Sequence, residues 1–323
     1  MSVWENAATV SVLGSEIYLY GLYVMIGVIA FAITLSVLSG TFRMKKGTAA
    51  LQLLLSLLLG GIASRIGYCL MTQELGEMMS VSAWVRGLHG GGWSLYPLLA
   101  GVFAAASAAG GLTGENNDDL LDNAACALPL FVAAERFAES VVPDFNVSRP
   151  LKEDSWLAKS FLALQDTYGS YLRTYYLAAA AALVLFVVLL LYRKGTRRAS
   201  GDTFIAFLLV FGAGGIFLES LRYDYFLSIS FVRLEQILAA VTLFIGCVLA
   251  ARKGETHGKA FRVLVPVSVF VMAGICIGIE FALDRTDINH YLLYAGMLIV
   301  VALPAAAGLR LLNPAGRKDR VAA

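Results

Sequence analysis

The sequence predicts an all-α protein, a polytopic bundle of about nine transmembrane helices. Three observations carry this prediction. The 323-residue chain is 59% hydrophobic and only 15% charged, whereas soluble domains carry about 25% charged residues. Apolar runs of roughly 20 residues, the length needed to cross about 30 Å of hydrocarbon, recur along the whole chain. Basic residues cluster in alternate loops between these runs, as is typical of membrane proteins.

Each predicted span is a mainly apolar run bounded by polar or charged sequence. The first and fifth runs contain no charge, the second contains one arginine, and the eighth and ninth are long apolar runs near the C-terminus. Glycine interrupts the third run, and charged residues interrupt the fourth, sixth and seventh. The predicted spans are residues 18–39, 49–71, 89–111, 121–142, 174–192, 203–222, 233–251, 262–283 and 291–312.

Lys and Arg residues predict the orientation, because the cytoplasmic loops of membrane proteins carry an excess of them. The chain is basic after the first, fifth and seventh spans and in its tail, at residues 43–46, 193–198, 252–259 and 317–320. With nine spans these segments share one side. The pattern therefore predicts an N-terminus outside the cell and a C-terminus in the cytoplasm. The acidic loop TGENNDD is the exception to this trend.

One segment between the spans is long enough to form structure outside the membrane. Residues 143–173 combine mixed charges, two prolines and scattered aromatic residues, which predicts a small external cap or an interfacial helix. The segment is too short for an independent soluble domain. No nucleotide-binding loop or zinc motif is evident, and the four cysteines have no metal-binding spacing. We therefore expect no metal, cofactor or nucleic-acid partner.

Polar residues inside the predicted spans are the candidate functional residues, because a charge at the membrane centre costs about 2.5–3.5 kcal/mol and usually faces a cavity or a partner. They are Arg65, Glu135, Arg136, Glu139, Glu219, Arg222, Glu235 and Gln236. Several buried arginines favour an anionic guest. In a membrane the natural guest is a phospholipid phosphate, which guanidinium grips through two parallel hydrogen bonds. The alternative is ion pairing within the protein, since Arg136–Glu139 and Glu219–Arg222 share an i, i+3 spacing.

The stretch VRGLHGGGWSLYP places a histidine and three glycines at the mouth of the third span. Glycines at 90–92 weaken a helix, but they allow a ligand to approach the backbone closely and leave N–H groups available to bind an anion. His89 beside them is then a candidate functional residue. The alternative is that the glycines only allow tight packing between helices.

Six short motifs follow one another in a fixed order between residues 16 and 250. They are YLYGLYVMIG, ASRIGYCL, LHGGGWSLYPLLAG, the fourteen-residue separation of Asp122 from Arg136, FLESLRYD and EQIL. In this order they resemble the prolipoprotein diacylglyceryl transferase family of bacterial membrane enzymes. Each motif alone is weak, but six in order, each in the corresponding span, are fairly specific.

The resemblance implies transfer of the diacylglyceryl group of phosphatidylglycerol to the thiol of a lipobox cysteine in an exported prolipoprotein, within the bacterial plasma membrane and without a cofactor. It implies catalytic roles for His89, as the general base for the thiol, and Arg136, as a contact to the phosphate. The residues implied to bind lipid are Tyr20, Arg65, Gly90, Gly91, Glu139, Glu219, Arg222 and Gln236.

The chain departs from the family pattern at several positions. Glu139 stands where the family has the first asparagine of its signature, and Gly215 stands where it has an arginine. The family ordinarily has seven spans, so residues 1–250 are expected to form the transferase-like core and residues 251–323 two additional spans with a tail. These departures leave two alternatives: a divergent relative that binds or processes phospholipid without this transfer, and a solute transporter.

Overall fold

A computed structural model of the protein describes residues 8–12, 15–72, 93–142, 147–194, 199–222, 228–229, 232–255 and 257–312. These residues form nine α-helices, eight of which are long and apolar enough to cross a membrane. The prediction of a polytopic helical membrane protein is confirmed. The helices are α1 (Leu19–Thr41), α2 (Thr48–Thr72), α3 (Leu95–Thr113), α4 (Asn117–Ala138), α5 (Thr174–Lys194), α6 (Asp202–Ser220), α7 (Leu234–Lys253), α8 (Lys259–Arg285) and α9 (His290–Leu311).

Helix α4 is the one among these nine that does not qualify as a candidate span. It contains acidic residues in its first turn and Arg136 in its last turn, and Pro129 lies inside it. Most of its residues are nevertheless buried, because α1 and α3 pack against it. The fourth predicted span is therefore a helix several of whose polar residues are buried by packing against other helices, and its own hydropathy is too low for a candidate span.

The helices belong to two compact units. The first comprises Met1–Val187 with Arg222–Asp224, and the second comprises Val188–Leu221 with Tyr225–Ala323. Helices α1 to α4 lie in the first unit and α6 to α9 in the second, while α5 contributes residues to both. Each unit has its own buried apolar side chains, which include Leu35 and Leu128 in the first and Leu209 and Leu243 in the second.

Glycines set the helix spacing in the first unit. A Cβ atom at Gly101 of α3 would lie 2.4 Å from the carbonyl oxygen of Leu59 on α2, and one at Gly27 of α1 would lie 2.9 Å from the Cβ of Ala134 on α4. Such contacts require the absence of a side chain. Small residues let helices approach closely in a membrane, where association depends on packing more than on the hydrophobic effect.

The second unit uses the same device to join α6, α7 and α9. A Cβ atom at Gly212 of α6 would lie 2.6 Å from the backbone nitrogen of Leu243 on α7. One at Gly308 of α9 would lie 2.7 Å from the Leu209 side chain of α6. The Cys247 thiol of α7 also lies 3.7 Å from the carbonyl oxygen of Pro304 on α9. Helix α9 is thus packed closely against both α6 and α7.

The segment before α5 is a small sheet. Its strands are β3 (Val147–Leu151), β4 (Ala163–Asp166) and β5 (Gly169–Arg173), and they pair antiparallel in the order β3-β5-β4. The predicted interfacial helix is therefore wrong for the described part of residues 143–173. Alternating burial along β5, with Ser170 and Leu172 buried, is a strand pattern that the mixed composition of this segment hides.

Two further hairpins lead directly into helices. Strands β1 (Thr9–Val12) and β2 (Ser15–Tyr18) pair antiparallel just before α1. Strands β6 (Ser228–Ile229) and β7 (Val232–Arg233) do the same just before α7. Because β7 ends at Arg233, this short hairpin places that arginine at the N-terminal end of α7.

The acidic TGENNDD loop has a structural partner in the basic loop after α1. The Lys45 ammonium group donates to the carbonyl oxygens of Thr113 (2.6 Å) and Gly114 (3.2 Å) at the end of α3. The backbone N–H of Lys45 donates to a carboxylate oxygen of Glu115 at 2.7 Å. The acidic loop thus lies against the basic loop that contains Lys45.

Candidate functional site

Seven of the ten residues that the sequence assigns to the site lie in the described part of the chain, and all seven are at least partly buried: Tyr20, Arg65, Arg136, Glu139, Glu219, Arg222 and Gln236. The other three, His89, Gly90 and Gly91, lie outside the described residues. The described residues fall into two polar clusters, one in each compact unit, with Arg65 on α2.

The first cluster gathers at the end of α4. The Nη1 atom of Arg136 lies 2.8 Å from Oε1 of Glu139, and Nη1 of Arg222 lies 3.7 Å from the same oxygen. The Nε atom of Arg136 lies 3.4 Å from Glu135 Oε2, and the Tyr20 hydroxyl donates to Glu135 Oε1 at 3.4 Å. We call these five residues the arginine–glutamate cluster.

The end of α4 and a backbone bridge place the residues of the arginine–glutamate cluster. Helix α4 ends at Ala138 and continues as a single 3-10 turn, Glu139–Val141, so Arg136 and Glu139 remain on one face. Arg222 follows the end of α6 and pairs through its backbone with Ser148 in an isolated antiparallel bridge. The local pair Arg136–Glu139 that the i, i+3 spacing predicts is present.

Charge in the arginine–glutamate cluster is balanced. It contains two guanidinium groups and two carboxylates, and the side chains of Arg136, Glu139 and Arg222 are 7–8% exposed. Ion pairs that are taken out of water are stable only when their geometry is good and their remaining donors and acceptors are satisfied. An anionic lipid headgroup that reaches this cluster must therefore share a guanidinium group with Glu139.

The second cluster lies in the second compact unit and joins three helices. The Nε atom of Arg233 lies 3.1 Å from Oε2 of Glu219 on α6. The Gln236 side chain on α7 accepts from the backbone N–H of Arg233 at 3.4 Å. Its Nε2 donates to Oε1 of Glu280 on α8 at 2.8 Å and to the carbonyl oxygen of Ile216 at 3.4 Å. We call Glu219, Arg233, Gln236 and Glu280 the glutamate–glutamine cluster.

One part of the sequence reasoning is wrong here. The i, i+3 spacing placed Glu219 and Arg222 on one face of one helix, but α6 ends at Ser220. Arg222 therefore lies beyond the end of the helix that carries Glu219. Glu219 makes an ion pair with Arg233, which the sequence reasoning did not name.

Arg65 is buried in α2, where its guanidinium carbon lies 5.6 Å from the ring centre of Tyr68. The residue before it is tied to the start of α3: the backbone N–H of Ser94 donates to the Ser64 hydroxyl at 2.9 Å, and this hydroxyl donates to the Ser94 carbonyl oxygen at 2.8 Å. Ser94 follows the glycine run at 90–92 by two residues. The chain that leaves the run is therefore fastened beside Arg65.

The comparison with known families decides which family the protein belongs to. The model of the prolipoprotein diacylglyceryl transferase family matches residues 8–252, well over half of the chain. The protein belongs to this family. A search of curated proteins gave no significant match.

For this member of the transferase family, the extent of the match is informative. It ends at residue 252, one residue before the end of α7, so α8 and α9 lie outside it. Every residue of the two clusters lies in the matched region except Glu280, which belongs to α8.

Sequence reasoning missed two members of the glutamate–glutamine cluster, Arg233 and Glu280. Glu280 had a usable signal, since it is an acid within the eighth apolar run and meets the same criterion as the other candidates. Arg233 stood at the first position of a predicted span, where a basic residue is ordinarily an interfacial anchor. Among the described residues, no group of three or more His, Cys, Asp or Glu side chains could hold a metal ion.

Proposed function

We propose that this chain transfers the diacylglyceryl group of phosphatidylglycerol to the lipobox cysteine of a prolipoprotein. The observation that carries the proposal is the family match over residues 8–252, which includes the motif around His89. The arginine–glutamate cluster supports it, because this cluster brings together four of the residues that the resemblance assigns to the site, Tyr20, Arg136, Glu139 and Arg222. The proposed setting is the bacterial plasma membrane, with the N-terminus outside and the C-terminus in the cytoplasm, as the basic loops predict.

The proposed reaction is one displacement. His89 takes the proton of the cysteine thiol, because the thiolate is the reactive form. The sulfur forms a thioether bond to the glyceryl carbon that carries the phosphate, and the bond from that carbon to the phosphate oxygen breaks. The electron pair of the broken bond leaves with glycerol phosphate. Arg136, with Arg65 as a second candidate, stabilises the negative charge that develops on this leaving group.

The test is product formation by the purified protein. In detergent, the protein would be incubated with dioleoylphosphatidylglycerol labelled in its acyl chains and a lipobox peptide. We expect a labelled peptide that resists neutral hydroxylamine, which cleaves a thioester but leaves a thioether and the oxygen esters of the acyl chains intact. His89→Ala should lower the rate by roughly 10² to 10⁴-fold, the usual contribution of a general base. His290→Ala, at the first position of α9, is the matched control and should retain the wild-type rate.

Complementation in a cell provides a second check. The gene should restore growth of a conditional strain depleted of its own prolipoprotein diacylglyceryl transferase. Failure to complement despite normal amounts in the membrane, together with absence of labelled peptide in vitro, would overturn the proposed transfer reaction.

One observation favours the alternative of a phospholipid-binding relative without this transfer. Glu139 stands where the resemblance expects asparagine, and its carboxylate lies 2.8 Å from Arg136. The carboxylate thus occupies a guanidinium group that the transfer reaction would direct at phosphate. A phosphodiester that competes with Glu139 gains less from Arg136 than one that meets it beside a neutral amide.

Glu139→Asn measures this competition. Removal of the carboxylate leaves the cluster with one excess positive charge, so we expect a lower melting temperature without lipid. We also expect a larger rise in melting temperature on addition of dioleoylphosphatidylglycerol, because a ligand that binds the folded state more tightly stabilises it more at the same concentration. A variant that transfers faster than wild type would support the transferase proposal. If the lipid-induced rise is unchanged, Glu139 does not compete with the lipid for Arg136.

A further inference from the structure

Gln236 is held in a defined orientation by a residue from outside the family match. Its amide nitrogen donates to Oε1 of Glu280 at 2.8 Å, while its amide oxygen faces the backbone N–H of Arg233. An ionised carboxylate only accepts hydrogen bonds. The nitrogen end of the amide therefore points at Glu280, its shorter contact, and at the carbonyl oxygen of Ile216 at 3.4 Å, while the oxygen end faces Arg233.

Glu280 is costly where it stands. It lies in α8, a candidate membrane span of 27 residues, and its side chain is buried with 5% relative exposure. The apolar residues around it already suffice for the helix to span a bilayer. An acid inside such a helix disfavours its insertion into a bilayer, so its presence calls for a role other than anchoring.

Helices α8 and α9 are joined firmly to the matched region. Gly308 of α9 packs against Leu209 of α6, and Gly254, just after α7, would place a Cβ atom 3.0 Å from the Leu311 side chain of α9. Helix α8 packs against both α7 and α9. The position of Glu280 relative to Gln236 is thus set by close helix packing within one compact unit.

We propose that Glu280 is a positioning residue for Gln236, so that the two helices outside the family match complete the polar site of the transferase. The proposal rests on the function proposed above, because it takes Gln236 as a lipid-site residue. It assigns α8 and α9 a part in the reaction through a series of polar contacts. The series runs Glu280–Gln236–Arg233–Glu219, and its consecutive members are in contact.

The test is a double-substitution cycle with Glu280→Leu and Gln236→Leu, measured in the thioether assay with dioleoylphosphatidylglycerol and a lipobox peptide. We expect each single variant to lower kcat/KM about tenfold and the double variant to be no slower than either, because residues that act as one unit are not additive. Glu280→Gln keeps an oxygen that can accept from Gln236 and should recover at least half of the loss. Cys276→Ala, buried on the same helix, should stay within about twofold of wild type.

The outcomes separate the two proposals. Wild-type transfer with an unaffected Glu280→Leu variant, or losses that multiply in the double variant, would overturn the positioning role and leave the transfer reaction standing. If the wild-type protein forms no product, the transfer proposal fails, and the same cycle is read from melting temperatures. Non-additive melting temperatures would then support the role of Glu280 in holding Gln236, and additive ones would overturn it.

Discussion

Replacement of Arg136 by alanine is expected to abolish product formation and to lower the free energy of unfolding by about 3–5 kcal/mol, because removal of one partner leaves buried charges uncompensated. Its guanidinium group lies 2.8 Å from Glu139 and 3.4 Å from Glu135. Both carboxylates would keep their burial and lose this counter-ion. The unfolding free energy can be measured by thermal or denaturant unfolding in detergent, and activity by the thioether assay.

Two companion variants separate charge from geometry. Arg136→Lys keeps the positive charge but loses the planar pair of donors, so we expect it to recover much of the stability while remaining strongly impaired in transfer. Lys159→Ala removes a cation from an exposed pair with Asp154, in which the lysine side chain is 67% exposed. Such pairs contribute little, so this control should match wild type in stability and activity. An Arg136→Ala protein as active as wild type would contradict the proposed role.

Replacement of Gly101 by valine should be a strongly damaging change of packing, at a cost of about 3 kcal/mol, the upper end of the usual range for overpacking. A Cβ atom at this position would lie 2.4 Å from the carbonyl oxygen of Leu59 and 2.7 Å from the Cα of Gly60. These are backbone atoms of α2, so no side chain can rotate to make room. Helix α3 would have to move away from α2, which would also disturb the contact between Ser94 and Ser64. The measurement is the melting temperature in detergent.

Gly111 on the same helix is the matched control. A Cβ atom at Gly111 meets nothing within 4 Å, and alanine is favoured over glycine inside a helix by about 0.5–1 kcal/mol. Gly111→Ala should therefore raise the melting temperature slightly, whereas Gly101→Ala should lower it. Equal effects at the two positions would show that the spacing between α2 and α3 does not depend on Gly101.

The helices could be predicted from the sequence because an apolar run of span length is a local signal. The ninth predicted span, 291–312, differs from α9 by one residue at each end. The third was placed at 89–111, but α3 begins at Leu95. The small sheet before α5 was not predicted, because its strands are four or five residues long and their pattern appears only once their pairing is known.

The candidate site could be predicted only where its contacts are local. The pair Arg136–Glu139 follows from an i, i+3 spacing that continues through the end of α4. The pairing of Arg222 with Glu139, and of Glu219 with Arg233, depends on where α6 ends and on the turn after it. Neither feature has a local signature, because a helix C-terminus without glycine or proline gives no stop signal.

Lys45 has two different environments during the life of the chain. In the folded protein its ammonium group donates to the carbonyl oxygens at the end of α3. Those carbonyl groups lie almost seventy residues later in the sequence, so ribosomal synthesis delivers Lys45 well before them. While α1 and α2 are being synthesised, Lys45 therefore lacks these acceptors and its ammonium group is hydrated. A lysine that is hydrated early in biogenesis thus becomes a helix cap in the finished protein.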